Sequence, residues 1–138
     1  MTSTERWFRG HLREVSREDC LALLASKVVG RVAFCEPDGP SVLPVNYVVD
    51  DGTVLFRTGP HASIAQHLGQ PAAFEVDEAD EYTESGWSVL VRGHVEPVDI
   101  DDVPSDPAAR PTPWPEGVKS LYLRIVPREI TGRRLVPG

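Results

Sequence analysis

Residues 28–58 read VVGRVAFCEPDGPSVLPVNYVVDDGTVLFRT, and the places where this stretch alternates and breaks decide the fold. Val28 to Cys35 is rich in β-branched and apolar residues and closes on Pro37-Asp38-Gly39-Pro40, the composition of a strand running into a turn. Ser41 to Val49 forms a second strand. It ends at Asp50-Asp51-Gly52, whose Asp-Gly step is a short hairpin signal, and Thr53 to Thr58 returns from it. The three strands are expected to form a meander.

Helical period occurs upstream, in Ser16 to Lys27, where Leu21, Leu24 and Val28 recur on one face after a Ser16 N-cap with Asp19 three residues on. Downstream, Gly59-Pro60 breaks the third strand, and His61 to Leu68 reads as a short helix ending at Gly69 before Pro71. Ala72 to Val76 is a fourth strand. Asp77 to Gly86 has no regular apolar period and is expected to be an acidic, solvated loop. Trp87, Val89, Val91, Gly93 and Val95 then alternate with Ser88, Leu90, Arg92, His94 and Glu96, the clearest strand of the chain. Ile100 to Ala109 predicts a short helix or turn, and the prolines of Pro111 to Gly117 impose irregular backbone. Leu121, Leu123 and Ile125 open a final strand that continues into Ile130 to Leu135. Six strands linked mainly by hairpins, with a few short α-helices, predict a mainly β fold, an antiparallel barrel without βαβ units. Side chains fill a barrel of this size, so a ligand must bind on its outside or between subunits.

With 138 residues the chain is long enough for one core and too short for two lobes, so residues 1–138 read as a single domain with residues 1–11 as an N-terminal arm. The composition, 41% hydrophobic and 25% charged, is that of a globular protein. A net charge of -7 repels nucleic acid and anionic membranes. The first residues carry charges throughout, and no run approaches a bilayer span, so the expected location is cytoplasmic with no membrane partner. Cys20 and Cys35 lack metal-type spacing and read as ordinary reduced thiols, one on a helix and one in a strand. The histidines are not grouped as metal ligands, the acidic stretch lacks the pattern of a calcium loop, and no P-loop or nucleophile-elbow motif occurs.

The phrases VVGRVAF, SVLPVNYVVDDGTVLFRTGP, AAFEVDE, GWSVLVRGHVEPV and LYLRIVPREITGRRL follow one another in order after a leading helix. From about Leu12 to Leu135 the chain thereby resembles the pyridoxamine 5'-phosphate oxidase-like group, small actinobacterial type. The resemblance implies a six-stranded antiparallel split β-barrel that forms a homodimer, with flavin mononucleotide (FMN) in the grooves between subunits. It implies that Pro44, Val45, Asn46 and Tyr47 run along the isoalloxazine, that Arg57, Thr58, Ser63 and Ile64 receive the phosphate, and that Trp87 contributes to the partner's groove. A cation, a hydroxyl and helix N-terminal amides would suit a phosphate dianion. Relatives commonly carry Thr-Lys where this chain has Ala62-Ser63, so one hydroxyl and one ammonium are missing there.

Each assignment has a plainer alternative. Arg57 reads equally as a solvated charge, Thr58 and Ser63 as turn or capping residues, and Tyr47 and Trp87 as core or interface. For function the resemblance implies an FMN-binding oxidoreductase-like protein of unknown substrate, in which the cofactor supplies the chemistry and no catalytic acid or base is needed. The alternative is a non-catalytic split-barrel dimer that has lost flavin, or that binds another small molecule such as haem or, less readily at this net charge, a deazaflavin. Arg133-Arg134 offers two further cations, and if they line the groove, neutralising them weakens an anionic ligand.

Overall fold

A computed structural model describes residues 11–115 and 117–137, so all of the expected N-terminal arm except His11 lies outside the described residues. The elements are β1 (His11–Val15), α1 (Arg17–Ala25), β2 (Val29–Glu36), β3 (Gly39–Asp50), β4 (Thr53–Thr58), β5 (Pro71–Asp80), β6 (Ser85–Val98) and β7 (Leu121–Val136). Three short 3-10 turns, Ser63–Gln66, Ile100–Asp102 and Pro107–Ala109, lie in the connections.

The strands form one antiparallel sheet in the order β1-β7-β4-β3-β2-β5-β6, and β6 pairs with β7 as well. That second pairing closes six strands into a barrel and leaves β1 as an added ribbon on the far half of β7. The expected meander is present as β2-β3-β4. Asp51 and Gly52 both adopt positive φ, 49° and 73°, the backbone twist that lets a two-residue turn join two right-twisted strands. The β3–β4 ladder begins only at Tyr47 opposite Phe56. Among the described residues, Gly39 to Asn46 therefore ladder with β2 alone. This is the split of the barrel, and Pro40 and Pro44 occupy the free edge, where a missing donor costs least.

Inward-facing side chains fill the barrel. Phe74, Phe56, Val32, Val89, Val91, Leu123 and Ile125 are fully buried, and the Tyr47 and Phe74 rings meet edge to face at 4.7 Å between centroids. Helix α1 closes one end, capped by Ser16, whose Oγ accepts from the Asp19 N–H at 3.2 Å. Its buried residues are Cys20 and Leu24, with Leu21 and Leu23 partly buried. Val28, expected on this face, is exposed because the helix ends three residues before it. Gly132 admits the helix: a Cβ there would stand 2.5 Å from the Cys20 sulfur. A small second cluster, Leu55, Val98, Val103 and Tyr122, covers part of the outer surface where the segment after β6 folds back.

Two expectations are corrected. The helix over His61 to Leu68 is a single 3-10 turn, whose preceding Ala62 makes no side-chain capping bond. The acidic loop is mostly strand: Asp77 to Asp80 extend β5 and pair with Ser88 to Ser85, leaving Glu81 to Glu84 as the turn. The pairing with β6 overrides the poor strand propensity of Asp and Glu, whose side chains stay in water.

Candidate functional site

The free edge of β3 lies beside the irregular segment between the Pro107–Ala109 turn and β7, and two of the sequence-predicted residues hold that segment in place. Asn46 accepts a hydrogen bond from the Trp114 N–H at 2.8 Å through Oδ1, while its Nδ2 donates to the Val28 carbonyl at 3.4 Å. Arg57, half-buried, donates from Nε to the Lys119 carbonyl at 3.0 Å and lays its guanidinium 5.1 Å from the centre of the Tyr122 ring. Tyr122 is the cross-strand partner of Arg57, so one face of the sheet carries both. Thr58 ends β4 opposite Leu121, half-buried. Pro44 is exposed on the same free edge. Together they form a mouth: a strand edge without a partner, a fixed guanidinium, a hydroxyl, and a wall that exposes the indole of Trp114. Lys119 and Trp114 were not read as site residues, because their bonds to Arg57 and Asn46 span 62 and 68 residues and have no local signature.

The other predicted residues lie elsewhere. Tyr47 is 2% exposed, and its hydroxyl donates to the Leu24 carbonyl at 2.5 Å. Ile64 is 1% exposed. Both side chains belong to the core, which leaves only their main chains for a ligand. Val45 is half-buried and packs against the same core. Ser63 is exposed and lies near the Glu36 carboxylate, which accepts from the Ser41 hydroxyl and stands 4.0 Å from His67. The Ser41 hydrogen bond, followed by the nearby Ser63 and His67, holds the Glu36 carboxyl below its ordinary range, so it is an anion at neutral pH. A phosphate at Ser63 would meet the Glu36 anion and a turn of only four residues.

Trp87, half-buried, lies across from Glu78 and Arg134 and lines a separate cleft of about 670 Å³. Arg133 and Arg134 point to opposite faces, as neighbours on a strand must. Arg134 lines the Trp87 cleft, and Arg133 lines another with Glu14, Glu75 and Thr131. The predicted residues therefore fall in two places, the Asn46–Arg57 mouth and the Trp87–Arg134 cleft. Cys20 is buried and Cys35 exposed, both as free thiols. Among the described residues no group of His, Cys, Asp and Glu is placed to hold a metal ion, and no helix is long and apolar enough to cross a membrane.

The family model described as pyridoxamine 5'-phosphate oxidase matches residues 16–134, which spans every element of the barrel. The chain belongs to the pyridoxamine 5'-phosphate oxidase family. Within the proteins similar to this family member, the uncharacterized Mycobacterium tuberculosis protein Rv0080 is 32% identical over 129 residues, covering 89% of this chain and 85% of that one. The solved structure of the FAD binding protein from Mycobacterium smegmatis is 30% identical and superposes with a TM-score of 0.70 over 90% of this chain and 98% of that one. A conserved protein of unknown function from Corynebacterium diphtheriae is likewise 30% identical, with a TM-score of 0.74 over 91% and 98% of the two chains. Membership in the family and the split-barrel fold agree with the resemblance seen in the sequence.

Proposed function

We propose that this chain is a flavin-binding, oxidoreductase-like protein that acts as a homodimer, with each flavin held between the Asn46–Arg57 mouth of one protomer and the Trp87–Arg134 cleft of its partner. The observation that carries the proposal is the half-buried Arg57, fixed at the split of a barrel whose family includes an FAD binding protein 30% identical over nearly the whole of both chains. A guanidinium held on two sides loses little freedom on meeting a phosphate, and its bidentate geometry suits one. The neighbouring free edge of β3 offers backbone N–H and C=O groups to a flat heterocycle, and Trp87 offers an apolar face. FMN is the expected form; FAD is what the M. smegmatis relative binds. When bound, the flavin supplies the hydride or electron chemistry, and the protein supplies binding and orientation. A cytoplasmic location, where both thiols stay reduced, belongs to the same reading.

A second reading is favoured by one observation. The Glu36 carboxylate lies near Ser63, so negative charge stands close to where relatives place a lysine. This disfavours a phosphate and suits a non-catalytic dimer that has lost flavin or holds another small molecule.

The test is the visible spectrum of the purified protein after equilibration with FMN or FAD and desalting, for the wild type and for Arg57→Ala. Retained flavin bands that weaken on removing Arg57 are expected, with affinity falling roughly tenfold to a hundredfold for one lost charge-assisted bond. Equal retention by the variant would remove Arg57 from the site. Retention of neither nucleotide by the wild type would hand the function to the second reading.

A further inference from the structure

On the outer face of the barrel, where β2, β5, β6 and β7 run side by side, lies a cleft of about 690 Å³ that shares no residue with the mouth at Arg57 or with the Trp87 cleft. Its floor is made of small residues, among them Ala33, Cys35 and Ala73, and its rim carries Arg92, His94 and Arg128. Strand alternation explains the floor. Ala33 pairs with Ala73, and Ala73 with Arg92, so three neighbouring strands point this row outward.

The rim has a different origin. β6 and β7 pair Arg92 with Glu129 and then Gly93 with Pro127, so Arg128 is the extra residue of a β-bulge and has no cross-strand partner. A bulge re-aims side chains and is enriched beside functional sites. It is possible here only with glycine on the facing strand, because a Cβ at position 93 would lie 1.8 Å from the Val126 carbonyl oxygen. Gly93 thus also leaves the floor low.

Charge separates this cleft from the rest of an acidic chain. Arg128 is exposed, and no carboxylate among the described residues lies within ion-pairing distance of it. Arg92 stands 3.8 Å from Glu129 with both side chains at least half exposed, a pair that open to water contributes little and holds the guanidinium weakly. His94 Nε2 meets Glu96 Oε1 at 2.8 Å. Against Glu129 and Glu96 stand two guanidinium groups and an imidazole.

We infer that this cleft binds a small aromatic anion, one or two fused rings bearing a carboxylate or sulfonate, with the rings on the alanine floor and the charge toward Arg128 and Arg92. The volume is in the range of small-molecule sites, roughly 300–1,000 Å³. A flat ring suits a lining of alanines with Phe34, Pro40 and Pro71, and the anion suits a bulged arginine without a partner. This second ligand would be independent of the flavin.

The probe is 8-anilinonaphthalene-1-sulfonate, titrated by calorimetry and fluorescence into the wild type, Arg128→Ala and Ala73→Trp. The expected result is one site per chain, weakened about tenfold in Arg128→Ala and lost in Ala73→Trp, with flavin retention equal in all three. Equal affinity in Arg128→Ala overturns the inference; Arg128 is exposed, so this comparison stands even if Ala73→Trp fails to fold. Unaltered dye binding by Ala73→Trp overturns it as well. So does conversion of a dimer to a monomer by Ala73→Trp in light scattering, which would make the face a contact between copies.

Discussion

Tyr47 shows how much one side chain's neighbours decide. Its place beside Asn46 in VNYVV suggests a ligand contact, yet alternation turns Asn46 outward and Tyr47 into the barrel, where the hydroxyl ties β3 to the last turn of α1 through the Leu24 carbonyl. Burial pushes its phenol up to about 12, so it is neutral and a donor at any ordinary pH. Tyr47→Phe removes that donor and leaves a buried carbonyl unpaired, at a cost of about 1–2 kcal/mol. For a chain of this size the melting temperature should fall by roughly 3–10 °C. Flavin retention should be unchanged. A variant with normal melting but lost flavin would return Tyr47 to the site. At the same scale, Arg57 was legible as a cation at a strand end, and its partners were not, because nothing near Arg57 in sequence points to Lys119 or Tyr122.

At the scale of elements, the hairpins followed their turn residues and the departures came from tertiary pairing. The stretch 77–80 is too acidic to read as strand, but β6 supplies a ladder for it, and Lys27 and Arg31 meet Glu78 and Asp77 at 3.3 and 3.6 Å. Glu75, one step earlier on the same outer face, carries the cost of that crowding. Partial burial, then the hydrogen bond and charge of Asp77, push its carboxyl up to about 7 from the ordinary 4.5, outweighing Arg31 at 3.3 Å. The folded chain therefore binds a proton that the unfolded chain has released between pH 4.5 and about 7. Stability contributed by neutral Glu75 is present below that window and declines as pH rises through it. With 36% of the side chain exposed, solvent softens the effect. Glu75→Gln should flatten the decline in melting temperature across this window; an unaltered slope would show that other groups set it.

At the scale of the whole molecule, closure of β6 onto β7 decides where a ligand has room. It fills the interior with side chains, which pushes ligands to the outside, and it leaves Arg57 and Trp87 in separate places on one chain. In the proposed function a second copy completes a site from both. Light scattering at low micromolar concentration should report a dimer. A monomer that still retains flavin would show that the Arg57 mouth suffices alone, and that Trp87 packs against the core without meeting the cofactor.

The sequence by itself determined the strands of the barrel, their hairpin order and the family. Those depend on period-two alternation and on turn residues such as Asp51-Gly52, whose signals are contained within a few positions. It also singled out Asn46 and Arg57, which the structure places beside the split. Only the tertiary structure decided that Tyr47 and Ile64 are core, that Glu36 lies near Ser63, and that the acidic stretch is strand. The split beside β3, the bulge at Arg128 and the Lys119 latch were likewise settled there. Each arises from the ladder positions of strands far apart in sequence, or from bonds spanning some 60 residues, and a side chain's facing and partner are then set by the closed barrel as a whole.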